Sequence, residues 1–260
     1  MRITVMVASM FAAAVAAVAE TAVPVAEFGF EEVAGAYADD GVSGQSAELT
    51  PSAKWASGTF GGALATGEKG AGAFIPNLSA LDGTDSCTLF LRFRKSGSGF
   101  GRYPNLLTSS AWGAKGGMML FSPEGKALSV RFRAGGKGPE AAWTAFAKMP
   151  QGKWLSVAFV FNRPNVTVYA NGEPVANGKW DHPFATGGAI QLGGWMADSF
   201  GGFIDDLRVW KGALDPSKIA ELAGDSRYDE IDGYQDDGTG GIRKTILLGQ
   251  GGSPALTLDG

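Results

Sequence analysis

Two adjacent acids, Asp205 and Asp206, are the residues whose type and position most clearly invite chemistry. They interrupt the run Gly202-Phe203-Ile204-Asp205-Asp206-Leu207-Arg208-Val209-Trp210, which otherwise reads as an apolar β-strand. Strict alternation along that strand puts Asp205 on the same face as Leu207 and Val209. A carboxylate among apolar neighbours cannot stay both charged and alone, so it is protonated, ion-paired or bound to a metal. A bulge that turns Asp205 to water, or an arginine set against it, would satisfy it without a metal. The sequence leaves these alternatives open.

A second group of candidates is aromatic. Sugars are held by stacking on rings together with fixed polar groups, and the chain has seven tryptophans. Trp112, Trp143, Trp180 and Trp195 lie in or near glycine-rich loops, where they can rim a ligand face, whereas Trp154 and Trp210 sit inside strand patterns and read as packing.

Nucleophilic chemistry has little to work with. The one histidine, His182, lies in the loop Trp180-Asp181-His182-Pro183, and no Gly-x-Ser-x-Gly turn presents a serine. The one cysteine, Cys87, cannot form an internal disulfide; it opens the alternating segment Thr88-Leu89-Phe90-Leu91-Arg92-Phe93-Arg94 and reads as a buried thiol. Asp236-Asp237-Gly238 lacks the ligand spacing of an EF-hand, and no glycine-rich phosphate loop opens a helix. A formal charge of −4 argues against a nucleic-acid partner, which needs a basic face.

The elements that must position these residues are short strands. Forty glycines and twelve prolines against 18% charged residues favour tight turns over helices. Strands are expected near 28–32, 60–64, 72–78, 88–94, 117–121, 127–132, 153–161, 166–169, 187–194 and 202–210. The segment from Gly35 to Gly44 reads as turns. Lys153 to Phe161 is apolar on both faces, as a central strand of a sandwich must be. Asn171-Gly172 supplies the two positive-φ positions of a type I′ hairpin. One helix follows the last strand, with Asp215 at N-cap, Pro216 at N1, Ile219 and Leu222 on one face and Gly224 at C′.

Three regions result. Residues 1–19 have the form of a signal peptide: Arg2, an apolar stretch from Ile3 to Val18, and Ala17-Val18-Ala19 before the expected cleavage at Glu20. Residues 20–224 form one all-β domain, and 225–260 an acidic, glycine-rich tail carrying Asp225, Asp229, Glu230, Asp232, Asp236 and Asp237. The expected location is secreted, periplasmic or at the cell surface, with no transmembrane segment left after cleavage.

The order Val168-Tyr169-Ala170-Asn171-Gly172-Glu173, then Ile190-Gln191-Leu192-Gly193-Gly194, then Phe203 to Trp210, closed by Ala213-Leu214 and a short helix, resembles the laminin-G-like modules of the concanavalin A-like jelly rolls, the group that includes pentraxin-like domains. Phe30-Glu31-Glu32 with Gly35, Asp39-Asp40 and Ser43-Gly44, and Phe60 to Leu64, are similar to that family's first strands. The resemblance implies a two-sheet antiparallel sandwich with one short C-terminal helix. It also implies a structural calcium ion joining the N-terminal segment to the last strand. Calcium takes six to eight oxygens, so Asp205 would combine with Glu31 or Asp40 and with a loop carbonyl such as that of Gly35.

The same superfamily holds glycoside hydrolases, whose retaining members need two carboxylates about 5 Å apart. Glu230-Ile231-Asp232-Gly233-Tyr234-Gln235 imitates the opening of the family 16 motif Glu-x-Asp-x-x-Glu, but Gln235 stands where the last acid belongs and the stretch follows the final strand. The expectation is therefore an exported, non-catalytic binding or adhesion module. Its partner is a carbohydrate or an extracellular protein, and its site residues are Asp205, Glu31, Asp40 and Gly35 for calcium and the four loop tryptophans for ligand. The alternatives are a structural or protein-interaction domain of the envelope or matrix and, third, a degraded family 16-like hydrolase.

Overall fold

The computed structural model describes residues 21–224, apart from Phe60, Asn77, Ser98, 110–116, 123–125, 135–137, Gly188 and 196–197, with Trp195 described by its backbone alone. In chain order the strands are β1 Val23–Phe28, β2 Tyr37–Asp39, β3 Ser46–Leu49, β4 Lys54–Ser57, β5 Gly62–Ala65, β6 Ala73–Ile75, β7 Ser86–Lys95, β8 Asn105–Ser109 and β9 Gly117–Phe121. They continue as β10 Leu128–Arg133, β11 Glu140–Phe146, β12 Trp154–Asn162, β13 Asn165–Ala170, β14 Glu173–Lys179, β15 Ile190–Leu192, β16 Gly194–Trp195, β17 Asp198–Ser199 and β18 Gly202–Lys211. A single α-helix, α1 Pro216–Ala223, closes the described chain.

Two antiparallel sheets result. The first has the order β14-β13-β12-β7-β18-β5-β4, with β1 also paired to β18; the second runs β11-β10-β9-β8-β15-β6-β3-β2. β16 and β17 form a separate two-stranded hairpin. This is the expected sandwich. β12 is indeed central, paired on one side to β7 and on the other to β13.

The inner faces meet in one apolar core. Phe93, Phe159, Phe161, Ile204, Leu207 and Val209 from the first sheet pack on Leu107, Leu120, Val130, Phe132, Ile190 and Leu192 from the second. Phe132 is the hub, its ring 5.5 Å from Phe159, 5.9 Å from Phe184 and 6.1 Å from Phe161, mostly edge-to-face. Cys87 lies fully buried in this core, and burial pushes its thiol well above the ordinary value, as suits a packing residue.

Local chemistry explains the best-defined turn. Asn171 and Gly172 take φ of 50° and 83°, the two positive values a type I′ hairpin needs to join β13 to β14. Gly172 is required twice over, because a Cβ there would lie 2.9 Å from the Ala223 Cβ on α1. The helix rests against that turn and lays Ile219 and Leu222 on Phe90, Ala158, Val160 and Tyr169, covering the outer face of the first sheet. Pro216 opens it after an extended Asp215, whose side chain makes no cap hydrogen bond.

The structure departs from the sequence reading in several places. The strand expected at 28–32 is instead β1, Val23–Phe28, with Phe30 at φ 57° just beyond it; β2 lies inside the stretch read as turns, and β3, β4, β8 and β11 are further strands. The expected strand 187–194 breaks at Gly193, φ 74°, into β15 and β16. Gly224 ends α1 at φ −94°, without the left-handed geometry expected of it. The expected leader and acidic tail lie outside the described residues.

Candidate functional site

The last strand is where the alternation argument fails. Between Asp205 and Arg208 the register with β7 shifts, and Asp206 takes φ 50°, which marks a β-bulge. Asp205 therefore lies opposite Arg92, on the outer face, rather than with Leu207 and Val209 on the core face. It is nevertheless only 2% exposed. The loop before β5 covers it, and the Thr59 N–H donates to its Oδ2 at 3.0 Å.

The two acids have separate fates. Asp206 is ion-paired: its Oδ2 lies 3.4 Å from Arg92 Nε and its Oδ1 2.6 Å from Arg208 Nε. Arg92, buried in turn, donates from Nη2 to the Leu222 carbonyl at 2.5 Å, so its cation caps the C-terminal end of α1. Asp205 has no such cation among these contacts. Burial pushes its carboxyl up to about 7, the charges of Asp206 and Glu31 add to the rise, and the Thr59 N–H opposes it.

Of the expected calcium ligands, the fold brings Glu31 towards Asp205 and leaves the other two engaged. Glu31 Oε2 accepts from the Gly62 N–H at 3.0 Å, and a Cβ on Gly61 would fall 1.8 Å from the same oxygen. The glycines at 61 and 62 thus let the loop close over both acids. The Thr59 hydroxyl, buried here, makes a second, weaker contact with the Asp205 carboxyl that also opposes the rise. Asp40, by contrast, is saturated as a turn residue: Oδ1 accepts from the N–H groups of Glu27 at 2.7 Å and Val42 at 2.9 Å, and Oδ2 from the Ser43 hydroxyl. The Gly35 carbonyl accepts from the Trp55 indole at 2.8 Å. Among the described residues no three His, Cys, Asp or Glu side chains converge as a metal cluster. Asp205 and Glu31 thus offer two neighbouring carboxylates to an oxygen-preferring cation, whereas Asp40 and the Gly35 carbonyl are held by the hydrogen bonds given above.

The tryptophans also divide. Trp180 is 5% exposed and packs in the core, 5.9 Å from Phe132, so its ring is unavailable to stack on a ligand. Trp143 is half-buried on β11, 5.5 Å from Phe132, with its indole edge where a Cβ on Gly178 would fall, so it closes the sandwich between β11 and β14. Trp112 lies outside the described residues. The backbone of Trp195 pairs with Asp198 in the β16–β17 hairpin.

That hairpin borders a depression of about 300 Å³ on the outer face of the second sheet. Its floor is Met119 on β9 and Asn105 on β8, the latter only 2% exposed. One wall is an ion-pair clamp: Glu140 lies 3.0 Å from Arg131 Nη1 and 3.3 Å from Arg133 Nε. The facing side carries Asp198 and the 40%-exposed ring of Tyr103, which has Arg102 5.3 Å from its centroid. Arg131 leans over Phe121, 4.3 Å from its centroid. Among the buried polar atoms of this lining, Asn105 Oδ1 and Arg131 Nε have no hydrogen-bond partner among the described residues.

The sequence held one missed signal for this site. In Leu128–Arg133, Val130 and Phe132 point to the core, so Arg131 and Arg133 must share the outer face. Their partner Glu140 opens a strand without clear alternation, and Tyr103, Asn105 and Asp198 join them only through tertiary packing.

Residues 67–220, more than half of the chain, match the profile of the laminin-G-like family described as the Concanavalin A-like lectin/glucanases superfamily, and the chain belongs to that family. Among solved structures it is similar to domain 4 of AbnA, a GH43 extracellular arabinanase from Geobacillus stearothermophilus, in complex with arabinotriose, at a TM-score of 0.62 and 21% identity over 78% of this chain and 100% of that one. It is also similar to the binding domain of Paraclostridial Mosquitocidal Protein 1, TM-score 0.62 and 12% identity over 78% of this chain and 52% of that one. The botulinum neurotoxin serotype D binding domain gives TM-score 0.59 and 13% identity over 77% and 51%. The chain thus spans about half the length of these toxin domains. No curated protein sequence matches it.

Proposed function

We propose that this protein is an exported, non-catalytic carbohydrate-binding module whose ligand face is the outer side of the second sheet. The observation that carries this reading is the depression beside β10, where charged and aromatic groups surround unsatisfied polar atoms on a rigid sheet. The arabinotriose complex of a similar fold supports it, as do neighbours that are mainly binding domains. Glu140 is engaged by two guanidinium groups, which suits a fixed hydrogen-bonding wall better than a proton donor. The family 16-like stretch at Glu230 falls outside the described residues. Among the described residues no helix is long and apolar enough to cross a membrane.

The reading includes a structural calcium ion held by Asp205 and Glu31 with help from Thr59. Bound there, the ion would neutralise a buried carboxylate and tie the segment after β1 and the loop before β5 to the last strand. A glycan array probed with the secreted protein tests the main claim. Binding to at least one oligosaccharide class, without hydrolysis on prolonged incubation, is the expected result; uniform absence of binding would favour an envelope or matrix interaction domain instead.

A further inference from the structure

We infer that the depression on the outer face of the second sheet takes an uncharged sugar ring, with Asn105 and Arg131 as its specificity-determining contacts. The inference rests on the carbohydrate-binding reading and narrows it to a ligand class. The depression presents two guanidinium groups, Arg131 and Arg133, and two carboxylates, Glu140 and Asp198, so its side chains sum to no formal charge. The cations are already engaged by Glu140 at 3.0 and 3.3 Å, and an anionic ligand would have to compete with that carboxylate while facing Asp198. A uronate or sulfated glycan is disfavoured on both counts.

The unsatisfied atoms name the complementary group. Asn105 Oδ1 is an acceptor that lacks a donor, and Arg131 Nε is a donor that lacks an acceptor. An orphaned buried polar atom is costly; both atoms lie just beneath the surface of the depression, and a ligand towards which the Asn105 and Arg131 side chains turn relieves that cost. A hydroxyl both donates and accepts, so a polyhydroxylated ring answers both from one face. The same ring has an apolar C–H face, for which Tyr103 and Met119 supply apolar surface. A volume of about 300 Å³ lies at the small end of ligand sites, consistent with one principal ring held and its neighbours in solvent.

The test is calorimetry with the full chain against neutral oligosaccharides and trigalacturonate chosen from an array carrying both classes, on wild type and on Asn105→Leu, Tyr103→Ala and Phe74→Ala. Tyr103 is 40% exposed, so its truncation should leave the fold intact should Asn105→Leu fail to fold. Phe74, 41% exposed on the far strand β6, is the control. The expected result is binding of a neutral saccharide, weakened tenfold or more by Asn105→Leu and by Tyr103→Ala at unchanged melting temperature, and unaltered by Phe74→Ala. Preference for trigalacturonate would overturn the uncharged class while leaving a carbohydrate module standing. Neutral binding indifferent to Asn105 and Tyr103 would overturn the location, and absence of binding to either class would remove the underlying reading as well.

Discussion

Asp205 and Asp206 are neighbours in sequence with opposite electrostatic solutions. Asp206 has two arginines; Asp205 is buried without a cation and beside the charges of Asp206 and Glu31, which push its carboxyl up to about 7 against the opposing Thr59 N–H. An acid raised in the folded state stabilises fully below its unfolded value, and that contribution disappears as pH climbs through the folded value. Without added metal, therefore, stability should fall between about pH 4 and pH 7. Melting curves in EDTA should show this fall, and Asp205→Asn should flatten it. Calcium should raise the wild-type melting temperature most at pH 7 and above, where the site is ionised, and leave Asp205→Asn unmoved. Equal melting temperatures with EDTA and with calcium at pH 8 would contradict the proposed ion. Arg92→Met tests the other acid: Asp206 keeps Arg208, so the expected cost in urea unfolding is about 1–3 kcal/mol, the price of an incompletely satisfied buried group.

Elements were legible where local rules and global fold agree. Asn171-Gly172 announces its hairpin because two positive φ values are demanded in a row and no other pair meets them so readily. β7, β12 and β18 are long enough for alternation to show. β2, β3, β4 and β11 were hidden for the opposite reason: they are short or built from small and polar residues, such as Ser46–Leu49 and Glu140–Phe146, and exist because neighbouring strands pair with them. The bulge at Asp206 was illegible because nothing in Asp-Asp itself specifies a register shift. That single shift moved the key acid to the other face. At this scale Gly172→Ala should destabilise on two counts, strained φ and contact with Ala223, and Leu222→Ala should cost about 2–5 kcal/mol by emptying the space under α1. Both are checked by equilibrium unfolding, and a neutral Gly172→Ala would contradict the packing of α1 on the turn.

The whole molecule divides its outer surfaces. One sheet is covered by α1, held there by Arg92 and two aliphatic side chains; the other keeps a polar depression between β10 and the β16–β17 hairpin. The fold was readable from the order of its motifs, and the family match agrees with it. The proposed ligand face was not, because its residues come from five separate strands and the loop before β8. Of the tryptophans chosen for their glycine-rich surroundings, Trp180 lies in the core and Trp143 at the closing edge. Hydrogen–deuterium exchange with and without a bound oligosaccharide reads the division directly. Protection concentrated on β8 to β11 and the β16–β17 hairpin is the predicted result. Protection confined to the helix-covered sheet, with those strands unchanged, would contradict the account.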